Sequence, residues 1–486
     1  MEERRKTLLF LVICLILGGL AEVSLLHGVI GVSYPLFIAV FYAVLYFRFG
    51  FKFTHRRIGL LLMIVIWLLS ASYMFFDNEL FYVLNMLAIP VLIFVHIVLI
   101  TTPNHMDWIS IPFFLRLVDK FSSAIMYGKR LTKLFFKRVL FRKVKSETTH
   151  TLKKIVLGML VGSPILFFVT ILLVSADEEF RIVIMEVPEF IVKFNFIEIL
   201  LRSLAALLLS LLFFSVFQVL KNRYVTPVVR VSEEKIDKNW DGIVVGTILI
   251  LLNGIYVLFV AIQFKYFFGE AIQENLTYAE YARRGFFELL IVTLINWSIL
   301  LACIKLAKVR KKSLGYFLKG LYSLLIANSS IILTSAYMRL SEYESAYGFT
   351  MDRVLAHIFM VFLMVIFAYT FIRVWLEGIS LSHFYLIAGL IFYTGLNVVD
   401  LEEIIVGNNL NRFEETGKID VHYLNNLSYS GINGLITLYE IEPTYPELRL
   451  LLVHHKEKIA DLDITTWQSF NFKKQQVVER LRELEL

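Results

Sequence analysis

The chain has 486 residues, of which 58% are hydrophobic and 18% charged, with a mean hydropathy of +0.70. Soluble domains are about 45–50% apolar and about 25% charged, so the composition excludes a soluble enzyme, a disordered chain, a disulfide scaffold and a nucleic-acid-binding domain. The net charge of +7 hides a division: residues 400–486 hold 9 basic and 15 acidic side chains, whereas residues 1–399 hold 39 and 26.

A hydrocarbon core roughly 30 Å thick takes about 20 apolar residues per helix. On that rule the chain reads as an all-α polytopic integral membrane protein. Eleven spans are expected, near 7–26, 29–47, 58–76, 81–101, 155–175, 199–220, 242–264, 285–306, 317–337, 351–375 and 381–399. The first is a span rather than a signal peptide, because it lacks a small-residue cleavage site and Val29 at once opens a second apolar run. Hydropathy divides the chain into a four-helix bundle (1–101), a basic segment (102–154), a seven-helix body (155–399) and an acidic, helical extramembrane domain (400–486).

Residues 102–154 are too polar to span. Phe114, Leu117, Val118, Phe121, Ile125 and Met126 recur there at helical spacing, interleaved with Arg116, Lys120, Lys129, Arg130 and Lys133. A basic amphipathic helix of this kind lies in the headgroup plane. The partner expected at 102–154 is therefore the lipid bilayer, and anionic lipid in particular; a generic basic connector would look the same in sequence. Orientation follows from Lys and Arg. With the amino terminus cytoplasmic, inside segments of residues 1–399 carry 31 basic residues and outside segments carry 8. An odd number of spans then puts the carboxyl terminus outside. In the tail, Leu448, Leu451, Leu452, Ile459 and Leu462 keep helical spacing, and breaks are expected from Gly431 to Gly434 and from Pro443 to Pro446.

No Asp, Glu, Lys or Arg falls in the middle third of any expected span. At mid-depth stand Asn253, Asn296 and Asn328, on three consecutive spans. Interhelical hydrogen bonds worth roughly 0.6–2 kcal/mol each are the simplest account, although a polar substrate path would use the same residues. His96 reads as a packing histidine. Cys14 and Cys303 form no disulfide or zinc pattern. Neither a nucleophile–base motif nor a metal-ligand spacing occurs, so no catalytic residue, metal or cofactor is expected.

One constellation runs against the positive-inside tendency. Arg283, Arg284, Glu288, Arg339, Arg353 and His357 fall in short stretches bounding spans eight, nine and ten, on the expected outer face. An outer loop is expected from Met338 to Arg353, and a lattice with Glu280, Glu288 and Glu342 would neutralise the arginines and fix the helix ends. Alternatively, arginine forks would take an anionic ligand bidentately, with His357 lending it pH dependence.

These same segments carry a resemblance. The run Tyr278–Leu289 (YAEYARRGFFEL), the run from Ala346 through Arg353 to Met360 (AYGFT…R…HIFM), the run Asn409–Leu424 (NLNRFEETGKIDVHYL) and the Trp467–Asn471 ending (W-x-S-F-N) occur in that order. Over roughly 150–486 the chain resembles a bacterial family of multi-pass membrane proteins known as a domain of unknown function, in places labelled a sensor component. The resemblance implies a bacterial cytoplasmic-membrane protein and brings no catalytic residues with it. The function expected is a non-enzymatic sensing, regulatory or envelope-related role with an outer-face polar site and a membrane or signalling protein as partner. A transporter passing the mid-depth amides, and an intramembrane enzyme acting on lipid-linked substrate through Glu288 or His357, are the alternatives.

Overall fold

Apolar runs of the sequence become helices in chain order. The computed structural model describes residues 2–50, 54–103, 106–139, 158, 162, 169, 173, 196–221, 240–268, 286–309, 311–376, 378–461 and 466–486. The membrane helices are α1 (Glu2–Ala21, prolonged by a π-helical turn, Glu22–Leu26), α2 (Ser33–Phe49), α3 (Arg56–Phe75) and α4 (Glu79–Thr101), followed after α5 (Ile111–Val139) by α6 (Phe196–Lys221) and α7 (Gly242–Phe268). The series continues with α8 (Phe286–Leu306), α9 (Lys312–Tyr347), α10 (Met351–Trp375) and α11 (Leu381–Val398). Among the described residues nine helices are long and apolar enough to cross a membrane, and Ser33–Phe49 is a shorter apolar helix. The protein is an all-α membrane protein. The span expected at 155–175 lies outside the described residues, apart from Gly158, Gly162, Val169 and Leu173.

The chain forms two compact units. One comprises residues 1–60, 94–228 and 467–469, the other residues 61–93, 229–466 and 470–486. These units are defined by packing, whereas the divisions at 101, 154 and 399 are defined by hydropathy, and the two need not coincide.

In the first unit α1 runs along α6. Gly18 permits the approach, since a Cβ there would lie 2.0 Å from Ser210 Oγ. Phe10 packs edge-on to Phe217 with ring centroids 5.6 Å apart, and Arg202 Nε donates to the buried Glu22 at 2.8 Å. His96 is the packing residue its sequence context suggests, with Nδ1 2.7 Å from Tyr42 Oη. Helix α5 also packs on α6.

In the second unit α7, α8, α9 and α10 surround a core that includes Leu249, Leu300, Leu325, Leu333, Leu363 and Phe367. The stretch expected as an outer loop from Met338 is instead helical to Tyr347. Leu340 and Glu344 are buried, so the α9 packing stripe continues for about two turns beyond the apolar run that defined the span. The helix ends at Gly348, whose φ of +86° suits glycine.

The tail forms α12 (Leu401–Thr416), α13 (Val421–Asn426), α14 (Tyr429–Ile441), α15 (Leu448–Asp461), a 3-10 turn (Trp467–Ser469) and α16 (Phe472–Glu483). Its core joins Val406, Leu424, Leu435, Leu448, Leu452 and Val477. The break expected from Gly431 to Gly434 is absent, because both glycines lie inside α14. They serve contact rather than termination: a Cβ at Gly434 would lie 2.5 Å from Val406 Cγ1, and one at Gly431 2.0 Å from the Leu424 carbonyl oxygen.

Candidate functional site: the polar junction of helix ends and tail

Charged groups are excluded from hydrocarbon and gather where helices end. In the second unit two such ends meet the tail. The α9–α10 turn is held by α12. Asn409 accepts from the Phe349 amide at 2.9 Å and donates to the Phe349 carbonyl at 2.8 Å. Arg412 donates to the carbonyls of Ser345 at 3.1 Å and Ala346 at 2.7 Å. Gly348 fits beneath Asn409, since a Cβ there would lie 2.7 Å from Oδ1. The Met351 amide donates to Tyr423 Oη at 2.8 Å.

The α3–α4 turn is held by α16 and α12. Asn471 caps α16 through Lys474 N, while its amide donates to the Tyr73 carbonyl at 3.0 Å and the Phe76 carbonyl at 2.9 Å. Phe75 and Phe472 stack with centroids 5.4 Å apart. Glu402 Oε1 accepts from Asn78 Nδ2 at 2.8 Å, and Oε2 accepts from Ser428 N at 3.3 Å and from the Ser428 hydroxyl. Lys473 forms ion pairs with Asp400 and, at 2.7 Å, with Glu403. Beneath these contacts Asn85 Nδ2 donates to Asn397 Oδ1 at 2.6 Å, and Tyr393 Oη donates to Asn85 Oδ1 at 2.7 Å.

A cavity of about 30 Å³ lies here, lined by Tyr73, Asp77, Asn78, Asn85, Asn397 and Glu402 among others. A water needs about 10–15 Å³ measured in this way, so the cavity has room for a couple of waters. Burial pushes the Asp77 carboxyl up to about 6, with Glu79 adding to the rise and Lys474 opposing it. Burial also pushes Glu402 up to about 6; the nearby charges of Asp400 and Asp77 add to this, and the Ser428 hydrogen bonds oppose it.

The expected outer cluster is only partly assembled. Arg283 and Arg284 lie outside the described residues. Glu288 is exposed and makes no hydrogen bond or ion pair among the described residues. Arg339 is half-buried on α9. Arg353 donates to the Gly348 carbonyl and lies 4.2 Å from the centroid of the Tyr343 ring. The acid that meets His357 is Glu344, not Glu342: Nδ1 lies 2.9 Å from Glu344 Oε2. His357 Nε2 lies 3.2 Å from the Tyr337 carbonyl and 3.3 Å from Ser341 Oγ. Carbonyl and carboxylate are both acceptors, so with Glu344 ionised the ring satisfies both only by carrying two protons. Tyr337, Ser341 and Glu344 follow at spacings of four and three, one face of a helix; that signal was present in the sequence.

The mid-depth amides are hydrogen-bonded between helices. Asn328 donates to Asn253 at 3.1 Å, Asn253 donates to the Leu321 carbonyl at 3.1 Å, and Asn296 donates to Ser329 at 3.0 Å.

Among known proteins, no curated protein matches the chain, and no solved structure does. Residues 63–438 match the family described as Domain of unknown function (DUF4153). That stretch takes in most of α3 and all of α4, ahead of the segments carrying the resemblance, and ends within α14, before Trp467–Asn471. With more than half of its length matched, the chain belongs to the DUF4153 family.

Proposed function

We propose that this chain is a non-enzymatic protein of the bacterial cytoplasmic membrane, with a sensing, regulatory or envelope-related role exercised through the polar junction of its tail. The observation that carries the proposal is the double grip of the tail. Asn409 and Arg412 hold the α9–α10 turn, and Asn471 and Glu402 hold the α3–α4 turn. A change in either hairpin is thereby felt by the tail, and the reverse, as a two-state coupling requires.

The amino terminus is cytoplasmic and the tail extracytoplasmic in this reading. Two facts support it: the 31-to-8 basic asymmetry, and the tail's contacts with turns 76–78 and 348–350, both of which the eleven-span threading puts on the outer face. A membrane or signalling protein is the partner class such a role calls for.

The test is hydrogen exchange on full-length protein in nanodiscs, alongside solute flux in proteoliposomes. Loosening the tail with Asn409→Ala should raise exchange at the start of α10 as well as in α12. Unchanged exchange at α10 would overturn the coupling. Protein-dependent flux would select a transporter whose path runs past Asn253, Asn296 and Asn328.

A further inference from the structure

On helix α5 two cations, Arg116 and Lys120, share the single neighbouring acid Asp119. Arg116 and Lys120 are four residues apart and so stand on one face, one turn from each other. Lys120 is only 7% exposed and makes no hydrogen bond or ion pair among the described residues. Arg116 Nε is buried without a hydrogen-bond partner. Burial pushes both groups below their ordinary values; Arg116 depresses Lys120 further, and Asp119 opposes the shift at both. A lysine can escape such a site by losing its proton, but a guanidinium cannot. Buried polar groups left without partners call for a ligand, water or ion.

We propose that Arg116 and Lys120 form a binding site for the phosphate of an anionic phospholipid. The fork and the ammonium together match a phosphodiester: the guanidinium offers two parallel donors and the lysine a point charge. A lipid rather than a free ion is favoured because α5 also leaves Ile111, Phe114, Val118, Phe121 and Ile125 exposed. These recur every three or four residues, and an apolar stripe of that kind keeps a helix at the depth of lipid phosphates. Gly128, next in the same spacing, lies against Ser215 of α6, so that face passes from exposed to packed along the helix. Lys129, Arg130 and Lys133 are exposed farther along the helix and supply general attraction to an anionic surface. The site rests on the reading of the chain as a membrane protein and is independent of the grip of the tail.

The test uses full-length protein in nanodiscs of phosphatidylcholine alone or with phosphatidylglycerol. Phosphatidylglycerol should raise the melting temperature on the order of 3 °C. The Arg116→Gln/Lys120→Gln variant should lose most of that gain, while Lys129→Gln/Lys133→Gln keeps it. Lys120→Met removes a charge that burial and Arg116 both disfavour and leaves Asp119 to Arg116, so in phosphatidylcholine it should melt no lower than wild type, which separates binding from folding. Equal loss in the two double variants would reduce the effect to surface charge and overturn the site. An equal gain from inorganic phosphate in phosphatidylcholine would assign the site to a free anion and overturn the lipid. A lower melting temperature for Lys120→Met in phosphatidylcholine would mean that the charge is neutralised within the protein, and would overturn the premise.

Discussion

Glu402→Gln tests whether the junction titrates. Glu402 is 6% exposed, and its carboxyl is raised from 4.5 to about 6. At 1.36 kcal/mol per unit that shift is worth about 2 kcal/mol between the two protonation states. A carboxyl whose folded value is raised stabilises the fold fully below its unfolded value, and that contribution is lost as pH rises through the folded value. The contribution of Glu402 to the grip of the tail should therefore be strongest near pH 4.5 and fall by about 2 kcal/mol on passing to pH 7. Glutamine keeps the shape and the acceptor facing Asn78 but cannot titrate. At pH 7.5 its benefit, removal of a buried charge beside Asp400 and Asp77, is opposed by loss of the charged acceptor of Ser428, a contact worth about 1.5–3 kcal/mol. The two nearly cancel, so the absolute stability decides little and the slope decides everything. Local opening of α12 and α14 can be followed by hydrogen exchange between pH 4.5 and 7.5, corrected for intrinsic rates. The wild type should lose protection across this window and Glu402→Gln should lose distinctly less. If both lose protection in parallel, Glu402 is not the titrating group and the assignment fails.

Asn471→Ala removes both hydrogen bonds to the α3–α4 turn and a helix cap; an increase in α16 exchange equivalent to about 2–3 kcal/mol is expected, and an effect under about 0.5 kcal/mol would mean that the contact is idle. Asn253→Leu and Asn328→Leu should each lower stability in detergent on the order of 1 kcal/mol. Because the two side chains are hydrogen-bonded to each other, the double variant should cost less than the sum of the singles, whereas strict additivity would separate them. Glu344→Ala leaves His357 facing a vacancy on α9, and a loss of about 3–5 kcal/mol in melting experiments is expected; a variant as stable as wild type would mean that the pair carries no charge. Single cysteines at Ser313 and Glu415, both exposed, in a background without Cys14 and Cys303, report orientation. An impermeant thiol reagent on intact cells should label position 415 and spare position 313, and the opposite pattern would reverse the proposed orientation.

Among the described residues most of the helical layout is legible in hydropathy, because a span must satisfy its own backbone and therefore declares itself locally. What hydropathy hides is where a helix stops once its sequence turns polar. Helix α9 continues to Tyr347 because Leu340 and Glu344 still face inward, and an acid at that position reads as a loop until its histidine partner is known. The two tail glycines misled for a related reason: glycine marks a turn as often as a close contact, and only the position of Val406 against α14 separates the two cases.

The candidate site divides along the same line. Arg353 and His357 stood out because cations on an outer face are locally anomalous. Asn85 and Asn397 were as visible as Asn253, each an amide in or beside an apolar run, yet their meaning depends on contact across more than 300 residues. The same is true of Asn78 with Glu402 and of Asn471 with Tyr73. Such pairs have no spacing to read, because the tail returns to the first hairpin only after the intervening helices are threaded. The basic cluster looked like a place for an anion when its partners were sought nearby in sequence. Once folded, Arg412 donates to the carbonyls at 345 and 346 and Arg353 to that at 348, while Arg283 and Arg284 lie outside the described residues. Among the described residues, the raised carboxyls of Asp77 and Glu402 sit against the same cavity, so protonation and the grip of the tail draw on one set of atoms.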